Sequence, residues 1–503
     1  MKRVSPITVK RLPPEFQMWM GGFMLMSCLW LLMLKGQMDL LCALMIFGSL
    51  LLISLRDQAA AALLTIAFLN LLGDIRRIVA ASFGQPTLDL LLLVGPGIAL
   101  VLAFPLLSRV RLRDPLSKAM IVLLVVMIGE IFNPQQGGLS VGVSGILFYI
   151  APVLWFWIGR ELASPAVVER LLYNVLFPLA LAAGILGLCQ NFIGFLPYEQ
   201  AWIDIASKTY VVLHVGNAIR AFGFSVSSSE YAELLAMGAA GTAAAFFGSR
   251  RNWVMAFPLL VTTVVLASSR GVLIRLLLSL TVVWAMRKGG RFRIRDLAYV
   301  GSLALLCLIA VGLMASRFNP AAGVPSPQDS ATQSLLAHQT GGFAHPLDPR
   351  YSTAGIHSKM ILYGIKEGFT NPVGHGLGST TLAATKFGGD PNTSSSEMDV
   401  SDMFIGLGLF GGLVYLYIVF AAIRKAFAYI QAVKLTVSLP VLAVLVSTLS
   451  TWLIGGQYST STVVCFLIGA LAHEQKLVDP IAAETIYSSG GGREGDLAPI
   501  GVP

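Results

Sequence analysis

Residues 403–422, MFIGLGLFGGLVYLYIVFAA, run for twenty positions without a charged side chain. As a helix rising about 1.5 Å per residue, this stretch covers roughly 30 Å, the thickness of a bilayer's hydrocarbon core. Acids flank it on one side (Glu397, Asp399, Asp402) and bases on the other (Arg424, Lys425). Working outward, comparable apolar stretches follow at 438–454 and 458–472. Others precede it at 16–34, 38–55, 59–73, 88–107, 118–133, 141–159, 171–196, 229–247, 253–268, 271–286 and 297–315. The pattern predicts an all-α integral membrane protein of about 14 transmembrane helices. The number falls to 12 or 13 if the short 59–73 stretch, which holds Asn70, does not span. Composition agrees: 12% of the 503 residues are charged and 55% hydrophobic, against about 25% charged in soluble domains.

Lysine and arginine orient the spans. With the amino terminus inside and strict alternation, 23 of the 35 basic residues fall on the cytoplasmic side, including the clusters at 109–118 and 287–295. That is the asymmetry cytoplasmic loops carry. It accounts for the net charge of +9 without nucleic acid as a partner, and it places both termini in the cytoplasm. The expected organisation is eleven spans in 1–315, one large periplasmic loop at 316–402, three more spans in 403–476, and a Gly/Ser-rich disordered tail at 477–503. The basic residues Lys2, Arg3, Lys10 and Arg11 precede an apolar run longer than a signal-peptide core, so it reads as the first span. All five cysteines lie in or beside apolar stretches and none forms a C-x-x-C pair, so neither a disulfide framework nor a zinc site is indicated.

Charges in or beside spans on the outer side are the candidates for chemistry, because a charge inside a membrane is costly. Arg220, in Arg-Ala-Phe-Gly-Phe (220–224), ends an outer loop; Arg270, in Ser-Ser-Arg-Gly (268–271), sits in a tight outer turn. Arg275 is five residues deeper and either snorkels to headgroups or joins the other two. Converging arginines suit a pyrophosphate, whose oxygens guanidinium groups pair bidentately. Ser227 and Glu230 fit a capping box opening the 229–247 helix. Glu130, near the outer end of its span, is either paired internally or solvated. The outer loop holds Arg350 and Tyr351, an amphipathic stretch from Ile356 to Phe369, and the glycine-rich run Asn371–Ser379 containing His375. That run is either a turn or a backbone cradle for phosphate or sugar. It is not a P-loop, since no Gly-Lys-Ser/Thr follows. The acidic cluster Glu397–Asp402 reads as a helix start, a general base or a cation site.

The order Arg-x-Phe-Gly, Ser-Arg-Gly, long outer loop, Pro-x-Gly-x-Gly-x-Gly and then a Gly-Leu-Phe-Gly-Gly span resembles the O-antigen ligase and polymerase superfamily (Wzy/WaaL-like). The motifs cover roughly residues 165–422. The resemblance implies a GT-C-like fold in a bacterial cytoplasmic (inner) membrane and a glycosyltransferase. Such an enzyme acts on oligosaccharide linked to undecaprenyl pyrophosphate, without metal or other cofactor. It also implies that Arg220 and Arg270 hold the pyrophosphate, with Arg275 and Arg350 as further candidates. Where ligases of this family carry a His-Asn pair, this chain has Glu397, which favours the polysaccharide polymerase branch. Glu397 or Asp399 then serves as the base, with His375 in reserve. A flippase and a chain-length regulator are the expected partners. A ligase and, from another class, a lipid-polysaccharide transporter are the alternatives.

Overall fold

The computed structural model describes residues 37–84, 89–107, 114–206, 213–215, 218–248, 250–288, 295, 298, 301–302, 331–346, 348–350, 352–388 and 398–473. The expected span at 16–34, most of that at 297–315, Tyr351, Glu397 and the tail lie outside these. In chain order the helices are α1 (Met38–Arg56), α2 (Gln58–Phe83), α3 (Leu91–Leu107), α4 (Pro115–Glu130), α5 (Leu139–Leu162), α6 (Pro165–Phe192) and α7 (Pro197–Ala206). A small hairpin, β1 (His214–Val215) with β2 (Ala218–Ile219), precedes α8 (Ser228–Phe247), α9 (Phe257–Leu266) and α10 (Arg270–Met286). Then come α11 (Ala331–Ala344), α12 (Ala354–Thr370), the short α13 (Leu382–Phe387), α14 (Asp399–Ala432), α15 (Leu435–Ser447) and α16 (Tyr458–Ala472).

Five of these helices, α1, α2, α5, α6 and α14, are long and apolar enough to cross a membrane, and α3, α9, α15 and α16 are shorter apolar helices. The chain fits an all-α, multi-pass membrane protein. Its outer faces carry the large apolar residues such a protein turns to lipid: Leu44, Leu52 and Leu55 on α1, and Phe410, Leu413 and Phe420 on α14. The helix α8 is the reverse case, buried on all sides, as expected of a helix at the centre of a bundle. Its small residues permit this: a Cβ at Gly238 would stand 2.5 Å from the Ala180 methyl.

Contacts between helix ends sort into two sets. At one end Arg77 of α2 reaches the 223–225 carbonyls, the segment after α4 meets residues 371–378, and Asp399 meets Trp452. At the other, Tyr173 donates to the Thr436 carbonyl (2.7 Å), Lys425 pairs with Asp114 (2.6 Å) and Arg250 with Glu169 (2.6 Å). This segregation needs the long helices to alternate in direction, as the alternation of spans in the sequence requires.

Two expectations are corrected. The 59–73 stretch is not a short helix: α2 continues to Phe83, carrying Asp74, Arg76 and Arg77 within it, because Arg77 is buried and bonded there. The 438–454 stretch stops being α-helical at Ser447, and residues 448–457 form a buried turn in which Ser450 has φ 72°.

The loop after α12 is not a surface turn. Leu377, Ser379, Thr380 and Thr381 are buried, and the loop fills a break in α14. At Gly408 the helix adopts φ 67°, ψ −166°, a conformation essentially confined to glycine. The break frees backbone groups that the loop takes up. His375 N–H donates to the Ile405 carbonyl (2.9 Å), Gly376 N–H to the Gly406 carbonyl (3.0 Å), and Leu409 N–H to the Pro372 carbonyl (3.1 Å). Non-helical backbone is tolerated at membrane depth only where protein or water satisfies it. A Cβ at Gly408 would lie 2.0 Å from the Pro372 oxygen. Gly408→Ala is therefore expected to cost about 1–3 kcal/mol from the backbone alone, with the steric displacement added. Thermal unfolding of the detergent-solubilised variant checks this, and an unchanged midpoint would sink the interlock.

Candidate active site

The Arg-x-Phe-Gly segment is held by its backbone. Gln190 of α6 accepts through Oε1 from the Phe222 and Gly223 amides (3.0 and 2.9 Å) and donates to Glu199 of α7 (2.7 Å). Arg77 donates to the Gly223 and Ser225 carbonyls (2.8 and 2.9 Å) and lies 4.3 Å from the Phe222 ring centre. The Asp74 amide donates to the Phe224 carbonyl. Arg77, Gln190 and Glu199 were not legible as partners, since each is remote in sequence from the motif. This grip fixes where Arg220, at the loop's start, begins. Its amide bonds to the Leu213 carbonyl across the hairpin (2.9 Å).

Helix α11 lies over the hairpin and the turn before α10. Leu335 packs with Val215 and Ala218, and its carbonyl accepts from Ser268 Oγ (3.2 Å). One turn on, Arg270 Nη2 is 3.1 Å from His338 Nε2. Guanidinium can only donate, so this nitrogen accepts. Gly342, a further turn along, gives Arg270 its room: a Cβ there would sit 1.5 Å from Nη1. Burial first, then the positive charges of Arg270 and Arg220, pushes the His338 imidazole down to about 4. Both motif arginines thus bear on one imidazole. No sequence signal singled out His338.

The other candidates are placed differently. Arg275 turns inward to an ion pair with Glu233 of α8, both largely buried; it does not snorkel. Asp399 is 1% exposed and begins α14. One oxygen of Asp399 accepts from the Tyr415 hydroxyl and the Trp452 amide, tying the 448–457 turn to the helix. Arg350 lies exposed, forked onto Asp348 (2.7 Å), whose carboxyl those hydrogen bonds pull down to about 2. Glu230 has its amide capped by Ser227 Oγ (3.2 Å), as the capping box requires, but its carboxylate turns away to the Ser459 amide (3.1 Å). His375 Nε2 is 2.9 Å from Glu367 Oε1 of α12. The glycine run is no phosphate cradle: the amides of Gly374, His375, Gly376 and Leu377 donate to the carbonyls of Asn371, Ile405, Gly406 and Glu130. Among the described residues no group of three or more His, Cys, Asp or Glu side chains could hold a metal ion.

These elements form a continuous path. Arg270 and Arg275 share α10, Arg275 meets Glu233, and the same two charges bear on Asp399. Ser401, two residues on, donates to the Met360 carbonyl of α12 (3.1 Å), whose far end carries Glu367 and so His375. No protein-family model matches the chain, and no curated protein matches its sequence. The residues themselves therefore carry the functional reading.

The buried Arg275–Glu233 pair makes a separate prediction. Removing one partner strands a charge, so Glu233→Leu or Arg275→Met should each cost about 3–5 kcal/mol. The double variant Glu233→Leu/Arg275→Met should be milder than either single. A thermal double-mutant cycle in detergent reads this, and strictly additive losses would mean the pair is not a unit.

Proposed function

We propose that the protein is a polysaccharide polymerase that joins oligosaccharide repeat units linked to undecaprenyl pyrophosphate, at the outer face of a bacterial cytoplasmic membrane. The observation that carries the reading is Arg270 bonded to the His338 imidazole of α11, with the charge of Arg220, from a separate motif, acting on the same imidazole. Two guanidinium groups at one end of an apolar bundle suit a phosphate-bearing lipid: the bundle takes the polyprenyl chain and the arginines take the pyrophosphate.

In the reaction, an acceptor hydroxyl attacks the anomeric carbon from the side opposite the pyrophosphate. The carbon–oxygen bond to pyrophosphate breaks, its electron pair stays with the departing phosphate oxygen, and configuration inverts. Arg220 and Arg270 stabilise that developing charge. The hydroxyl proton passes to a base, and among the described candidates His375 has the geometry of one. Glu367 holds its Nε2 and so fixes the ring and tautomer, leaving Nδ1 to accept. Asp399 is sealed between Tyr415 and Trp452 and serves to anchor the helix start. The activated donor brings its own leaving group, so the scheme needs no soluble energy source. Purified protein in lipid nanodiscs, given a lipid-linked repeat unit, should yield a ladder of lengths on a gel. A single product with glycan on a non-repeat acceptor would instead mark a ligase, and no product with authentic substrate would sink the reading.

A further inference from the structure

The glycine loop and the end of α4 border an open groove whose lining includes none of the arginines. Its volume is about 260 Å³, and Glu130, Phe132, Asn133, Gln135 and Val373 line it. That is room for one sugar ring, just below the roughly 300–1,000 Å³ of pockets for drug-sized ligands. Asn133 is 8% exposed and welds the two walls together: its side-chain amide donates to Glu130 Oε2 (2.7 Å) and to the Gly374 carbonyl (2.9 Å). Gln135 Oε1 accepts from Asn371 (2.6 Å), which assigns its amide orientation.

Those bonds leave two groups unused. Glu130 Oε1 and Gln135 Nε2 have no hydrogen-bond partner among the described residues, one an acceptor and the other a donor. Beside them stand Phe132 at 70% and Val373 at 63% exposure. A free acceptor, a free donor and an apolar ledge match a pyranose ring, whose neighbouring hydroxyls each donate and accept and whose C–H face is apolar. The only charge in the lining is the Glu130 carboxylate, which repels phosphate. The groove therefore cannot duplicate the pyrophosphate site.

We infer that this groove is a subsite for an uncharged sugar, and, on the polymerase reading, for the ring that carries the acceptor hydroxyl. Val373 of the lining stands two residues before His375, so one wall of the groove and the proposed base belong to the same short loop. The groove also sits at the same end of the bundle as Arg220 and Arg270.

Saturation-transfer NMR on the full chain in nanodiscs tests it. The probes are the methyl glycosides of glucose, galactose, mannose and N-acetylglucosamine, and inorganic pyrophosphate followed separately by phosphorus line broadening. At least one glycoside should take up saturation. Glu130→Gln should weaken that binding about tenfold, the order of one hydrogen bond to a charged group, and Gln135→Ala at its exposed position about fivefold, the order of a neutral one. Pyrophosphate broadening should survive both changes and vanish in Arg270→Ala. Glycoside signals indifferent to both substitutions, no glycoside signal in the unaltered protein, or pyrophosphate broadening lost in Glu130→Gln would each overturn the subsite. Saturation of lipid ethanolamine headgroups in place of glycosides would overturn it too, in favour of a lipid contact. Sugar binding without polymer synthesis leaves the subsite standing while the polymerase reading falls, and synthesis without sugar binding does the reverse.

Discussion

Arg270→Ala should abolish polymer formation in the nanodisc assay, and Arg220→Ala should do the same, with protein levels near those of the unaltered chain. Removing a single preorganised donor to a developing negative charge typically costs about 10²–10³ in rate, and here each arginine supplies a full charge as well. Lysine should rescue poorly at either position, since it keeps the charge but loses the planar fork that grips two phosphate oxygens at once. Position 270 has a second reason to be intolerant: Gly342 leaves space shaped for a guanidinium, and His338 Nε2 accepts from it. The separation from a folding effect comes from Gly342→Ala, which crowds Arg270 without removing it. That variant should retain pyrophosphate broadening if α11 can shift. Full activity in Arg270→Lys would show that bidentate geometry is not what the site uses.

His375→Gln should slow synthesis about 10²–10⁴-fold, the usual worth of a positioned base, while leaving the thermal midpoint close to that of the parent. Glu367→Gln should fall part-way, because it loosens the imidazole without deleting it. Asp399→Asn is expected to behave in the opposite manner, lowering the midpoint first, because its carboxylate joins Tyr415 and the Trp452 amide. Synthesis should continue in EDTA. Inhibition by EDTA that magnesium or manganese reverses would replace the base with a metal site. An unchanged rate in His375→Gln together with a collapsed rate in a thermally intact Asp399→Asn would exchange the two roles.

The apolar runs marked where helices lie, because burying or lipid-exposing twenty residues leaves its mark in composition regardless of neighbours. The ends were less legible. The run at 59–73 stopped at Asp74, yet α2 continues, since Arg77 finds carbonyl partners some 146–148 positions away. No local pattern encodes a partner that distant. The run at 438–454 carries no charge, but the Asp399 carboxylate holds a turn where composition alone supports a span. At the site, the two motif arginines could be read because a charge beside a span stands out. Arg275 stood out equally, and the structure gives it to Glu233. His338 sits in an ordinary polar helix and becomes notable only when α11 folds back over Arg270. The glycine run was read as either a turn or a cradle for phosphate or sugar, whereas its backbone approaches the protein's own broken helix.

That broken helix also sets an order of assembly. Its first ten residues cannot settle without the 371–377 backbone made just before them. They equally cannot settle without the 448–457 turn that has yet to emerge from the ribosome. Glu230 and Asp399 both wait for partners between residues 452 and 459. A chain halted after residue 432 would hold Arg220, Arg270, His338 and His375, and still lack the partners of Glu230 and Asp399 that tie down the starts of α8 and α14. The starts of α8 and α14 are therefore fixed only with the final insertion, rather than span by span.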